Sequence, residues 1–273
     1  MRTVFLDPLK DKQFWEDGFV VLDLLEDQAT QDLSKAWRCP EDIKDAGWRL
    51  SFFSADIEAR KALSALVCGT LGGALTVHLD RYIHRHGYFA TKVANHPGSD
   101  VEMHYHPTFV DESRYASLVI FCPLVDTHEE NGCLYVTPGS HLIDANPRYL
   151  GIPFPYKELE PYIRDHFSHP LHLKAGQAVV FHSGLYHFSG PNQTDVERVA
   201  VAMNGMPVEC EPRIYMKDPQ QALIHAFDVS HEFLLNIQYG DQIGDLKPVE
   251  TRPWVIEPLD KERLDRLLGS GAS

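Results

Sequence analysis

Val101-Glu102-Met103-His104-Tyr105-His106 is the stretch that decides how this chain is to be folded. It suits a β-strand, where side chains two residues apart emerge on one face, so His104 and His106 point to the same side. Two imidazoles on an inner sheet face fit a cross-strand hydrogen-bonding couple. They equally fit two ligands of one ion, provided that a third arrives from a distant strand. His187 is placed for that third role, at the end of Ala178-Val179-Val180-Phe181-His182-Ser183-Gly184-Leu185-Tyr186-His187. Glu102 shares the strand face of His104 and offers a carboxylate as an alternative donor, whereas Asp111 lies too far along the chain and is expected to be structural.

Outward from this stretch the chain reads as short β runs separated by turns. Residues 87–93, 101–106, 117–124, 133–137, 177–182 and 199–208 are expected strands; Asn131-Gly132, Pro138-Gly139 and Lys174-Ala175-Gly176 supply turns. Such spacing implies a mainly β sandwich or jelly roll. Residues 1–75 differ in texture: 11–17, 26–37 and 55–71 place apolar residues at helical spacing, with one strand-like run at 19–22. We therefore expect one domain over 1–273, with a mostly helical flank (1–75), a β core carrying the site (76–210) and a C-terminal extension packed on that core (211–273). The extension contains an apolar piece at 231–237 and a helix at 260–268.

Bulk composition narrows the function classes. A formal net charge of −14 disfavours electrostatic binding to nucleic acid or to an anionic membrane surface. The 44% hydrophobic content suits an ordinary globular core. No run approaches the ~20 apolar residues that span a bilayer, and the start breaks its apolar run with Asp7-Pro8, unlike a signal peptide. Cys39, Cys68, Cys122, Cys133 and Cys210 are odd in number and scattered, which fits reduced thiols in a cytoplasmic protein. Asn192-Gln193-Thr194 matches a glycosylation pattern and is read as an ordinary loop. The sequence assigns no oligomeric state.

Further residues extend the constellation around the histidines. Phe109-Val110-Asp111-Glu112 follows His106, Asn131-Gly132 and Pro138-Gly139-Ser140-His141 come next, and His187-Phe188-Ser189-Gly190-Pro191-Asn192 leads to Arg198. With the opening Phe14…Asp17-Gly18-Phe19-Val20-Val21, this set resembles the phytanoyl-CoA dioxygenase family of Fe(II)/2-oxoglutarate oxygenases. The likeness runs from about Phe14 to Arg198. The chain departs from the family at one place: His-x-His stands where the family has His-x-Asp.

The resemblance implies a double-stranded β-helix, a cupin-like jelly roll, with flanking N-terminal helices. It implies Fe(II) on His104 and His187, and it puts His106 at the position of the usual carboxylate ligand. Arg198, eleven residues after His187, takes the place of the arginine that binds the far carboxylate of 2-oxoglutarate, and Ser189 that of an assisting hydroxyl. Lys92 is a further candidate for the anionic cosubstrate. The implied activity is oxidation of a small organic molecule with O2. Replacing Asp by His leaves two other readings open: a three-histidine dioxygenase that chelates its substrate directly, and a non-catalytic ligand-binding member. Phe89, Tyr105, Phe109 and Phe121 are candidate cavity walls, and residues 144–169 fit either a lid or a packed surface loop.

Overall fold

Capping residues set the ends of the first helix. Asp7 accepts the Leu9 N–H at 2.9 Å and starts α1 (Pro8–Asp17), and Gly18 stops it in the left-handed region at φ 86°. The structure is a computed structural model that describes residues 1–236 and 245–269. After α1 come β1 (Phe19–Asp23), α2 (Asp27–Ala36), β2 (Trp48–Leu50) and the long α3 (Ile57–Leu75). The centre of the chain is β3 (Tyr82–Lys92), β4 (Val101–His104), β5 (Leu118–Pro123), β6 (Leu134–Val136), α4 (Glu160–Phe167), β7 (His169–Leu171), β8 (Gln177–His182), β9 (His187–Ser189) and β10 (Arg198–Pro207). The C-terminal part holds β11 (Arg213–Lys217), β12 (Leu223–Asp228), α5 (His231–Asn236), β13 (Glu250–Pro253) and α6 (Lys261–Leu268). Ile237, the last residue of the expected apolar piece, lies outside the described residues.

Two antiparallel sheets make the β core. One has six strands in the order β1-β8-β5-β10-β3-β2, the other four in the order β4-β9-β6-β7. Alternation along the central strands explains how the layers stack. Leu118, Ile120 and Cys122 of β5, Ala178 and Val180 of β8, and Val201 and Met203 of β10 pack against Phe14, Leu33, Val67 and Leu71 of the helices. The intervening Val119, Phe121, Val179, Phe181, Ala200 and Ala202 point the other way, towards Leu134 and Val136 of the smaller sheet. With both faces covered, β5 is buried along its whole length. The fold is mainly β, of jelly-roll type, with helices outside the larger sheet.

The N-terminal third contributes more than a helical flank. β1 and β2 form the two edges of the six-stranded sheet, β1 antiparallel to β8 and β2 antiparallel to β3. Sequence periodicity caught β1 but passed over β2, which has only three residues. Residues 144–169 resolve the two readings in part: α4 covers the outer face of the smaller sheet through Ile163, beside Tyr186 and Phe188, while Leu150 and Ile152 face the internal cavity. The C-terminal part adds a three-stranded sheet, β11-β12-β13. It packs on the core through Ile214 and Phe227 against Val110 and Met206, and Leu264 of α6 joins the cluster beneath α4.

The Asn131-Gly132 turn is held from both sides. Asn131 accepts the His128 N–H at 2.9 Å and donates to the Asp126 carbonyl at 2.8 Å. Gly132 sits at φ 75°, and a Cβ on it would fall 2.5 Å from the Gly190 carbonyl oxygen. Gly132→Ala is therefore expected to destabilise the protein by about 1–3 kcal/mol, through backbone strain and the clash together. Denaturant unfolding measures this, and a wild-type midpoint would show that the turn relaxes freely.

Candidate active site

The pairing of β4 with β9 puts His104 directly opposite His187. The register slips once between Val101 and His104. That bulge breaks the simple alternation, so Glu102 turns outward, exposed and 3.2 Å from Lys157, and does not join the histidines. His106 lies just beyond β4. Its N–H donates to the Ser183 carbonyl at 2.8 Å, and its own carbonyl accepts the Arg148 Nε–H at 2.9 Å. The ligand atoms of His104, His106 and His187 all lie within 4.8 Å of one another.

Backbone carbonyls fix two of the three rings. His104 Nδ1 donates to the Glu102 carbonyl and His187 Nδ1 to the Leu185 carbonyl, each at 2.8 Å, which leaves both Nε2 lone pairs free. His106 Nε2 lies 3.2 Å from His187 Nε2, with the two rings within 3° of parallel. Burial holds all three imidazoles below their ordinary pKa. His106 falls to about 3, with the neighbouring His104 and Arg148 adding to the effect, and His187 goes well below the usual range. Neutral, convergent imidazoles fit a divalent transition metal, since iron, zinc, copper and nickel all accept such donors. Among the described residues no carboxylate belongs to the cluster.

Arg148 is the residue that sequence inspection missed. It is buried beneath His106, pairs with Glu112 and donates to Ser183 Oγ at 3.0 Å, while Ser183 donates to Glu112 at 3.1 Å. Its backbone exchanges two hydrogen bonds with Thr108, and Thr108 Oγ1 donates to Glu112 at 3.2 Å. This network ties the 144–169 segment to the metal-side loop and explains why Asp111-Glu112 follows the histidines. Asp111 itself accepts from the Ser113 hydroxyl and N–H, a local turn. His141 is buried beside His182, their ring centroids 5.2 Å apart, and stays outside the three-histidine group.

The same three histidines line a cavity of about 740 Å³ between the sheets. Phe109, Phe121 and Phe181 wall it, together with Trp48, Ser189 and Arg198, and Tyr105 and Phe188 border it while their rings join the cluster beneath α4. Phe89 does not, because it points to the helix side and stacks on Trp37 at 4.8 Å. Arg198 is 2% exposed, and among the described residues no carboxylate pairs with it and its Nε has no hydrogen-bond partner. Trp48 and Phe121 lie about its guanidinium, 5.5 and 5.4 Å from ring centroid to Cζ. Burial lowers its pKa to about 10, so it stays charged at neutral pH. Ser189 is buried at the end of β9.

Lys92 has a different setting. It is fully buried opposite Arg198 in the β3–β10 pairing, and its ammonium donates to the Gly190 carbonyl at 2.8 Å and to that of Ser99. It lies outside the cavity wall. Burial, and then Arg198, bring its pKa to about 7. Asn192 completes this corner: its amide donates to the Lys92 carbonyl at 3.2 Å and the Val196 carbonyl at 2.8 Å, which settles Asn192-Gln193-Thr194 as a structural loop.

The chain resembles known proteins in both sequence and fold. The sequence model of the phytanoyl-CoA dioxygenase (PhyH) family matches residues 16–200. Phytanoyl-CoA dioxygenase 1 of Oryza sativa subsp. japonica is 29% identical over 123 residues, 42% of this chain and 42% of that protein. Phytanoyl-CoA dioxygenase domain-containing protein 1 of Danio rerio is 31% identical over 108 residues, 37% of each chain. The match thus spans less than half of either curated relative. Among solved structures, the non-heme alpha-ketoglutarate-dependent carbocyclase SnoK from nogalamycin biosynthesis superposes with a TM-score of 0.57 at 18% identity, covering 90% of this chain and 94% of SnoK. The non-heme monooxygenase ThoJ, as a nickel complex, gives 0.52 at 21% identity, covering 74% of this chain and 78% of ThoJ. These likenesses show a shared fold.

Two outcomes test the site. His104→Ala and His187→Ala are expected to lose bound iron almost completely, and His106→Ala to bind it more weakly, when metal content is measured after desalting. Wild-type occupancy in the first two would remove the assignment. The second concerns pH in the metal-free protein. His84, His86 and His182 are held down to about 4 and His106 and His141 to about 3, chiefly by burial. Below about pH 6.5 the unfolded chain takes up protons that the native state refuses, so stability is full above that pH and falls towards pH 4. A drop in Tm of roughly 5 °C or more between pH 7.5 and 5 is expected, each kcal/mol being worth about 2–4 °C in a chain of this size. A flat profile would contradict the burial of these rings.

Proposed function

Because the chain belongs to the phytanoyl-CoA dioxygenase family, we propose that it is a non-haem iron oxygenase that uses 2-oxoglutarate and O2 to oxidise a small organic molecule. One observation carries the cosubstrate: a buried arginine with no carboxylate partner among the described residues shares a cavity with three convergent imidazoles. A buried charge without a partner is strongly unfavourable, and a planar guanidinium is best satisfied by a carboxylate through two parallel hydrogen bonds. EvdO2 from Micromonospora carbonacea var. aurantiaca, a protein of this fold, has been crystallised as a complex with 2-oxoglutarate, which supports the same reading.

In this reading His104, His106 and His187 hold the iron, with His106 as a neutral third ligand. Iron bound there supplies the redox chemistry, O2 activation coupled to decarboxylation of the cosubstrate. Arg198 grips the far carboxylate and Ser189 adds a hydroxyl. Lys92 stands behind them and holds the Gly190 loop through its carbonyl. The aromatic wall keeps water away from the reacting atoms. All five cysteines are unpaired, which suits a reducing, cytoplasmic setting. No helix among the described residues is long and apolar enough to cross a membrane.

The histidine at position 106 favours a second reading, a three-histidine dioxygenase whose substrate chelates iron and offers its own carboxylate to Arg198. Titrating metal and then 2-oxoglutarate into a thermal-shift assay separates them. Stabilisation by both supports the first reading. Stabilisation by metal alone supports the second, and by neither a non-catalytic protein.

Arg198→Met provides the sharper prediction. Loss of a charge-assisted partner is expected to weaken 2-oxoglutarate by about 2–3 kcal/mol, roughly a hundredfold, with metal content unchanged. The ligand-free variant should be no less stable than wild type, since an unpaired buried charge has been removed. Calorimetry and denaturant unfolding read the two effects. Unchanged affinity for every carboxylate would detach Arg198 from ligand binding.

A further inference from the structure

β3 is irregular at one point. Ala202 of β10 pairs with Tyr88 but Asn204 pairs with Arg85, so β3 carries an extra residue at His86-Gly87. His86 sits in the left-handed region, φ 53°. Residues with a Cβ adopt that conformation seldom, and it persists where the surroundings impose it. Here α3 imposes it. The Gly87 N–H donates to Ser64 Oγ at 3.0 Å, and a Cβ on Gly87 would fall 2.8 Å from the Ser64 carbonyl oxygen. A bulge clamped in this way re-aims a side chain.

The side chain it aims is that of His86. The ring lines the cavity that holds the three histidines of the metal site. It lies within 7° of parallel to Phe109, and its Nε2 is buried with no hydrogen-bond partner among the described residues. Asn204, on the adjoining strand, lines the same cavity, and its amide makes no hydrogen bond with any described residue. Buried polar groups in folded proteins are normally satisfied. Burial also keeps this imidazole neutral at physiological pH. Asn204 lies six residues beyond Arg198 on the same face of β10, roughly 20 Å along the strand. The cavity thus has a guanidinium at Arg198 and, farther along β10, the neutral hydrogen-bonding groups of His86 and Asn204, with aromatic side chains between them and Arg60 and Lys61 of α3 also on the lining.

We propose that His86 and Asn204 select the substrate, and that the substrate is a largely apolar molecule whose neutral hydroxyl or carbonyl is hydrogen-bonded by this pair. Oxidation of that molecule rests on the oxygenase reading above; its binding does not. His86 can donate or accept, and the Asn204 amide does both, so an alcohol or a ketone satisfies them and a hydrocarbon does not.

Calorimetric titration of nickel-loaded protein, with 2-oxoglutarate present, compares phenylbutanol with butylbenzene. Wild type is expected to bind the alcohol about tenfold more tightly than the hydrocarbon. His86→Leu and Asn204→Leu should each erase that preference without weakening butylbenzene. His86→Asn, which keeps a hydrogen-bonding group and tolerates the left-handed backbone, should retain part of it. Nickel content and 2-oxoglutarate affinity should be unchanged in all three. Equal affinity for the two probes, no binding of the alcohol, or a preference that survives in both leucine variants overturns the proposal. Failure of nickel and 2-oxoglutarate to bind wild type sinks the oxygenase reading instead, while the probe preference still reports on the pair.

Discussion

The antiparallel register of β4 on β9 is the constraint on which the site depends. It sets His104 across from His187, and the single bulge before His104 turns Glu102 out to solvent while His104 stays inside. A slip of one residue would exchange the two faces and dissolve the group of three imidazoles. Other contacts hold this register in place. β9 also pairs with β6, where His187 faces Val136, and the outer face of the sheet is sealed by Tyr186 and Phe188 against α4. His106 falls past the end of the pairing, and there Ser183 and Arg148 take over from the sheet by clamping its N–H and carbonyl.

Electrostatics in the cavity follow from which buried cations find partners. Arg148 has Glu112, and Lys92 has two backbone carbonyls. Arg198, beside Lys92 in the sheet, has aromatic faces alone among the described residues. Burial first, and the neighbouring Arg198 second, draw the lysine's pKa down to about 7, leaving the guanidinium as the persistent charge. The aromatic faces ease the guanidinium by attraction to their quadrupoles, yet they leave its Nε–H without an acceptor among the described residues. The positive charge at this end of the cavity therefore follows from the sheet itself, before any ligand arrives.

Much of this was legible in the chain. β5 and β8 are buried apolar runs bounded by turn residues, and their alternation survives intact into the two packed layers. His104, His106 and His187 come together in space, although strand alternation alone does not account for it, since the register slips before His104 and His106 lies beyond the end of β4. What escaped did so for identifiable reasons. The first half of β3, Tyr82-Ile83-His84-Arg85-His86, looks polar, and its bulge defeats alternation, so the strand was expected to begin only at Gly87. β2, β7 and β9 have three residues each, too few to show a period. Lys92 could not be told from a cosubstrate ligand by sequence, because nothing in its neighbours announces that the carbonyls of Ser99 and Gly190 will fold back onto it. Arg148 sat in a segment read only for its aromatic and proline content, 36 residues from the glutamate it meets.

The histidine at position 106 and the unpaired Arg198 pose one electrostatic problem. A carboxylate ligand would cancel part of the charge of a divalent ion; an imidazole cancels none. Glu112, tied to the His106 loop through Arg148, does not compensate, because Arg148 already neutralises it, and the outward turn of Glu102 removes the other candidate. A metal-loaded cavity would then carry the full charge of the ion together with that of Arg198, enclosed by aromatic side chains in a region of low dielectric. Such a site favours a ligand with negative charge at both ends, one for the ion and one for the guanidinium, more strongly than a site built with the usual aspartate would. With a histidine at position 106, the neutralisation of a bound ion would fall to the ligand and not to the protein.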